Sequence, residues 1–155
     1  MSRDYDVIIV GGGPAGIFAA LELVERTGKI LIIEKGKNLA ERFCPSKNKH
    51  IPCIKCKPCS IVCGWGGAGA FSDGKLTLSP EVGGFLDEYI SKDRLHKRIR
   101  YVDDLYLRFG APEKVYGDDE ETITGIEKKA ILADLRLIPS RIRHLGSGRT
   151  LEILE

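Results

Sequence analysis

The first thirty-four residues change hydrophobic rhythm twice, and each change predicts an element. Residues 5–10 are a run rich in Val and Ile that ends at glycines, the pattern of a buried parallel strand. Residues 14–26 shift to helical spacing, which places Ile17, Leu21 and Val24 on one face. Pro14 suits the first helical position, where its missing N–H costs nothing, and Gly28 marks the stop. Residues 29–34 return to a strand pattern built on Ile30, Leu31, Ile32 and Ile33. Strand, helix, strand is a βαβ unit, and the predicted fold class is α/β with a Rossmann-like start.

Residues 35–80 show no clear period and hold all five cysteines. A loop of that length inside a domain is expected to carry function. Helical spacing returns at Leu95, Ile99, Val102, Tyr106 and Phe109, and Gly110-Ala111-Pro112 stops it. Asp118-Asp119 predicts the cap of a further helix with Ile123, Ile126 and Ala130 facing inward. Residues 135–139 predict a strand. Residues 148–155 read as the opening turns of a helix that ends without a cap, so the chain is expected to be part of a longer protein. The expected organisation is a nucleotide-binding module with a cysteine- and glycine-rich loop over 1–80. A helical segment over 81–155 then opens a substrate-facing domain that is incomplete.

Gly11, Gly13 and Gly16 match G-x-G-x-x-G between the first strand and the helix. The first glycine permits the tight turn, the second lets backbone approach a diphosphate, and the third lets helix and strand pack closely. Pro14, Ala15 and Gly16 open the helix, whose unpaired N–H groups and dipole favour an anion. Glu34 ends the second strand, where its carboxylate can accept both ribose hydroxyls and repel a 2′-phosphate. FAD and NAD both satisfy these residues; NADP does not.

Between residues 64 and 75, small residues let backbone amides face an anion or a flat ring, with Gly66, Gly67, Ser72, Asp73 and Lys75 as candidate contacts. A flexible linker is the alternative. Cys53, Cys56, Cys59 and Cys63 are spaced C-x2-C-x2-C-x3-C, with Cys44-Pro45 upstream. Ferredoxins hold a [4Fe–4S] cluster with such spacing, which makes Cys53, Cys56, Cys59 and a remote Cys44 one ligand set, with Cys63 as the alternative fourth. Zinc, a redox thiol pair and free thiols remain open beside it. His50, His96 and His144 carry no motif, and no catalytic acid, base or nucleophile stands out.

Charge adds mainly exclusions. Lys and Arg number 24 against 22 Asp and Glu, so no nucleic-acid or membrane partner is expected. The basic run over 92–100 reads as a solvated helix face. Residues 5–24 imitate a signal peptide, but Asp4, Asp6 and the glycines interrupt it. Cysteines crowded into one loop argue against a disulfide framework, and a cytoplasmic location is expected.

Gly11-Gly12-Gly13-Pro14-Ala15-Gly16, Glu34-Lys35-Gly36 and Arg42 together resemble the FAD-binding start of flavoproteins with two dinucleotide-binding domains. That resemblance implies FAD rather than NAD, with Lys35 and Arg42 at the cofactor and Arg42 near its diphosphate. The segment from Cys53 to Cys59, then Gly66-Gly67-Ala68-Gly69-Ala70-Phe71-Ser72-Asp73-Gly74-Lys75-Leu76, is similar to a family of bacterial and archaeal FAD-dependent dehydrogenases. Phe109-Gly110-Ala111-Pro112-Glu113 and Arg143-His144-Leu145-Gly146 are similar to it too. The implied activity is FAD-dependent oxidoreduction on a small molecule or an electron carrier. A non-catalytic nucleotide-binding fragment and a thiazole-synthesis-like protein are the alternatives, the cysteine run speaking against the second.

Overall fold

Val and Ile favour the pleated, half-buried surface of a strand. Accordingly, β1 (Val7–Val10) and β2 (Ile30–Ile33) pair in parallel in a computed structural model that describes residues 4–155. Val7 lies opposite Ile30 and Val10 opposite Ile33, and the Gly11 N–H extends the ladder to the Ile33 carbonyl at 2.8 Å. Parallel strands need a crossover, which α1 (Pro14–Thr27) supplies. Pro14 sits in its first turn, as its fixed φ favours, and Gly28 ends it.

Close packing of α1 on β1 depends on one missing side chain. A Cβ on Gly16 would collide with the Gly11 carbonyl oxygen and come within 3.3 Å of Ile9 Cγ2. Gly11 itself has φ +112°, a turn conformation that side-chain-bearing residues rarely adopt. Ile17 and Leu21 are half-buried, but Val24 is exposed, as are Ile8 and Val10 on the other face of β1. A short helix, α2 (Pro45–Lys49), follows, and a tight turn over Gly67–Phe71 buries Ala70.

The contacts divide the chain into two units. One runs to Ser72 and includes Thr150–Glu155; the other is Asp73–Arg149. The second unit holds β3 (Lys75–Thr77), α3 (Lys92–Arg108), β4 (Val115–Tyr116), α4 (Glu120–Leu132) and β5 (Ile142–His144). Its strands form an antiparallel sheet in the order β3-β5-β4. The helices match the expected spacing. Ser91 caps α3, and the Asp119 carboxylate caps α4 by accepting from the Glu121 and Thr122 N–H groups. Leu95 and Leu105 are buried, Phe109 at the end of the α3 pattern is exposed, and Ile126, expected to face inward, is exposed too.

The strand expected over 135–139 is not formed; the strand of that region is β5, three residues later. Leu135 and Ile138 are exposed. Apolar alternation pointed to the wrong stretch because the inward residue of β5 is an arginine. Arg143, 4% exposed, makes a bidentate pair with Asp103 and donates to the Pro112 and Glu113 carbonyls. These bonds replace the water that a buried guanidinium gives up, so a charged residue holds a core position. The final helix, α5 (Ser147–Leu154), lies where the sequence predicts the opening turns of one. No helix among the described residues is long and apolar enough to cross a membrane.

Candidate functional site

The end of β1, the start of α1 and the end of β2 meet at the G-x-G-x-x-G turn. Gly13 precedes α1 in extended conformation, and neither a side-chain cap nor an acidic residue serves the first turn. The leading N–H groups of a helix have no partner within it, so this terminus presents donors and positive potential to an anion. At Gly13 an added Cβ would meet only Gly67 Cα, at 3.9 Å. The protein's own packing therefore leaves room at Gly13, in contrast to Gly16.

Glu34 does more than end a strand. Its Oε2 accepts from the Gly12 N–H at 2.7 Å, and its Oε1 accepts from Gly36 and Gly64, each at 2.9 Å. One carboxylate thus joins the phosphate-loop turn, the exit of β2 and the glycine-rich segment. A carboxylate offers about four lone-pair sites, so three of them are engaged and one, on Oε2, is left for a ligand hydroxyl. The Gly12 and Gly36 N–H groups, followed by that of Gly64 and the charge of Lys35, hold its pKa below the ordinary 4.5 against the opposing effect of burial.

That direction fixes a pH dependence. A carboxyl whose folded pKa is depressed contributes stability that is fully present above its unfolded pKa and lost as pH falls through the folded one. The first unit is expected to loosen below about pH 4.5 as Glu34 protonates. Fluorescence of Trp65, the chain's one tryptophan, measured against pH in the wild type and in Glu34→Ala, checks it. An equal acid transition in both would remove Glu34 as its cause.

Arg42, expected near a diphosphate, is 5% exposed and directs its guanidinium to carbonyls. Nε donates to Ser60 and Nη2 to both Ile61 and Gly67, all at 2.8 Å, while Nη1 donates to Trp65. The Phe71 ring lies 4.6 Å away. Gly66 and Gly67 are brought to the phosphate turn: the Gly66 N–H donates to the Gly12 carbonyl at 2.8 Å. Ser72 closes the Gly67–Phe71 turn through the Gly69 carbonyl. Asp73 and Lys75 belong to the second unit and pair with each other at 2.7 Å. The pair is exposed, and it holds the Asp73 carboxyl below its ordinary pKa.

The cysteines are not drawn to one point. Among the described residues no three His, Cys, Asp or Glu side chains are gathered as a metal would need. Two of the five thiols accept local bonds: Cys44 Sγ from Lys47 N at the start of α2, and Cys53 Sγ from Lys55 N. The Ile61 and Val62 N–H groups, then the Arg42 charge, lower the pKa of the Cys59 thiol against the effect of desolvation. Gly12, Gly36 and Gly64 stand in segments the sequence singles out, but their bonds to the Glu34 carboxylate do not show in it, because together they join separate stretches of the chain. A Cβ on Gly36 would collide with Gly64 N, a contact across 28 positions that no local pattern reveals.

The profile of the family described as pyridine nucleotide-disulphide oxidoreductase matches residues 5–104, more than half the chain. The chain belongs to this family. It is an oxidoreductase family with FAD- and NAD(P)-binding domains, and the glycine turn, α1 and Glu34 all lie inside the match. Among curated proteins the chain is similar to an uncharacterized protein of Clostridium beijerinckii, 30% identical over 145 residues, covering 90% of this chain and 23% of that one. It is also similar to a digeranylgeranylglycerophospholipid reductase of Methanospirillum hungatei, 29% identical, covering 72% of this chain and 28% of that one. A third relative is one of the subunits of the H(2):CoB-CoM heterodisulfide,ferredoxin reductase of Methanothermobacter marburgensis, 30% identical, with coverage of 67% and 16%. The chain therefore spans little more than a quarter of these relatives at most.

Proposed function

We propose that this chain carries the FAD-binding start of a flavin-dependent oxidoreductase of the dehydrogenase family it resembles. The observation that carries the reading is the uncapped α1 terminus, with free space at Gly13 and the Glu34 carboxylate at the neighbouring strand end. Gly13, Ala15 and Gly16 would face the diphosphate with backbone N–H groups, and Oε2 of Glu34 would take a ribose hydroxyl. Bound FAD would supply the electron-accepting ring; the residues in hand bind and orient it. The two relatives named as reductases agree with that chemistry.

Titration of the full chain with FAD, FMN, NAD and NADP, followed by Trp65 fluorescence, tests this. FAD is expected to bind, FMN to bind far more weakly for want of the adenosine, and NADP to be excluded by charge at Glu34. NADP binding as tight as FAD, or FMN equal to FAD, would overturn the assignment.

A further inference from the structure

Arg42 is a buried cation, and a buried cation persists only where hydrogen bonds replace its water. Here the replacement comes from one short stretch of backbone. Four of its five N–H groups go to the carbonyls of Ser60, Ile61, Trp65 and Gly67. The N–H groups of that stretch are held from elsewhere. Gly64 donates to Glu34, Trp65 to the Lys37 carbonyl at 3.0 Å, and Gly66 to the Gly12 carbonyl. The segment is thus gripped through its carbonyls by one side chain and through its N–H groups by the phosphate-turn region.

Gly64 shows how close the grip is. Its φ is +122°, and a Cβ there would stand 2.6 Å from both Arg42 Cδ and the Lys37 carbonyl oxygen. On its other side the segment lies against the turn, with the Gly67 Cβ position 3.2 Å from Gly13 Cα. Whatever sets the position of residues 64–67 sets one wall of the space at Gly13.

We propose that Arg42 is the positioning residue of this nucleotide site, holding residues 60–67 against the Gly12 and Gly13 turn so that the diphosphate meets a preformed wall. The proposal deepens the FAD reading and rests on it. It differs from a direct charge contact with the diphosphate in what lysine can replace. Lysine keeps the charge, but its compact ammonium lacks the planar fork that reaches four carbonyls.

The test compares the full chain with its Arg42→Lys variant, both at a temperature where circular dichroism shows them folded. Hydrogen exchange without ligand is read at Gly64, Trp65 and Gly66, and FAD affinity is read from Trp65 fluorescence. Arg42→Lys is expected to speed exchange at those amides and to raise the FAD Kd about ten- to a hundredfold, the usual loss when a supporting shell is removed. Unchanged exchange would overturn the proposal. Faster exchange with unchanged Kd would leave Arg42 a structural residue only and overturn it equally. If the wild type binds no FAD, the FAD reading fails and the positioning role falls with it, while exchange still shows whether Arg42 holds the loop. Arg42→Gln, which buries no charge and has a single NH2 in place of the five guanidinium N–H groups, repeats both readouts should Arg42→Lys not fold; faster exchange and a raised Kd are again expected, and either readout unchanged would overturn the proposal.

Discussion

Gly16→Ala is expected to lower the stability of the first unit by about 3 kcal/mol or more, the upper end of the cost of forcing an extra carbon into a packed site. The clash is with backbone, which cannot turn aside as a side chain can. The new Cβ would overlap the Gly11 carbonyl oxygen and crowd Gly11 C at 3.1 Å, so α1 must move off β1 or the turn must open. Urea unfolding followed by Trp65 fluorescence measures it. A midpoint within error of the wild type would show that the helix has slack against the strand and would remove the packing role of Gly16.

Gly13→Ala is the control that separates packing from binding. Its φ of −80° suits any residue, and its added Cβ meets nothing of the protein closer than 3.9 Å. Stability is therefore expected to stay within about 0.5 kcal/mol of wild type, as for substitutions that disturb no neighbour. FAD affinity should fall nonetheless, since the Cβ enters space the diphosphate would use. Two glycines of one motif would then fail for different reasons, one through the fold and the other through the ligand.

The βαβ start was legible because its information is local. Apolar periodicity, a proline at a helix start and glycines at a turn all act within a few residues of one another, and β1, α1 and β2 fall where they predict. The helices α3 and α4 were legible for the same reason. The strand β5 was not, because Arg143 faces inward by virtue of Asp103, forty positions earlier on α3, and of the Pro112 and Glu113 carbonyls, 31 and 30 positions earlier. The same limit governs the site. That Glu34 stands beside the glycine turn could be read from spacing. That its carboxylate also holds Gly64, thirty positions on, could not. Arg42 and the glycine-rich segment were singled out from the chain, but the bonds between them exist only once the segment folds back.

Glu34→Ala is expected to weaken both the fold and the site, because one carboxylate serves both. Removal leaves three backbone N–H groups, from Gly12, Gly36 and Gly64, without their charged acceptor. Glu34 is half-buried, so water replaces part of what is lost. The stability cost is therefore about 1–3 kcal/mol in all rather than for each bond. Glu34→Gln should fall between the two. Its carbonyl oxygen can keep Gly36 and Gly64, but its NH2 then faces the Gly12 N–H as donor against donor. Its loss of charge should also relax the exclusion of NADP relative to FAD. Urea midpoints for wild type, Gln and Ala are expected to decline in that order, with FAD affinity declining alongside. Should Glu34→Ala lose FAD while keeping the wild-type midpoint, the carboxylate would be a ribose acceptor alone and the three backbone bonds would contribute nothing to the fold. Should it keep FAD while losing stability, the carboxylate would be a tie between loops, and the ribose contact would have to be made by another group.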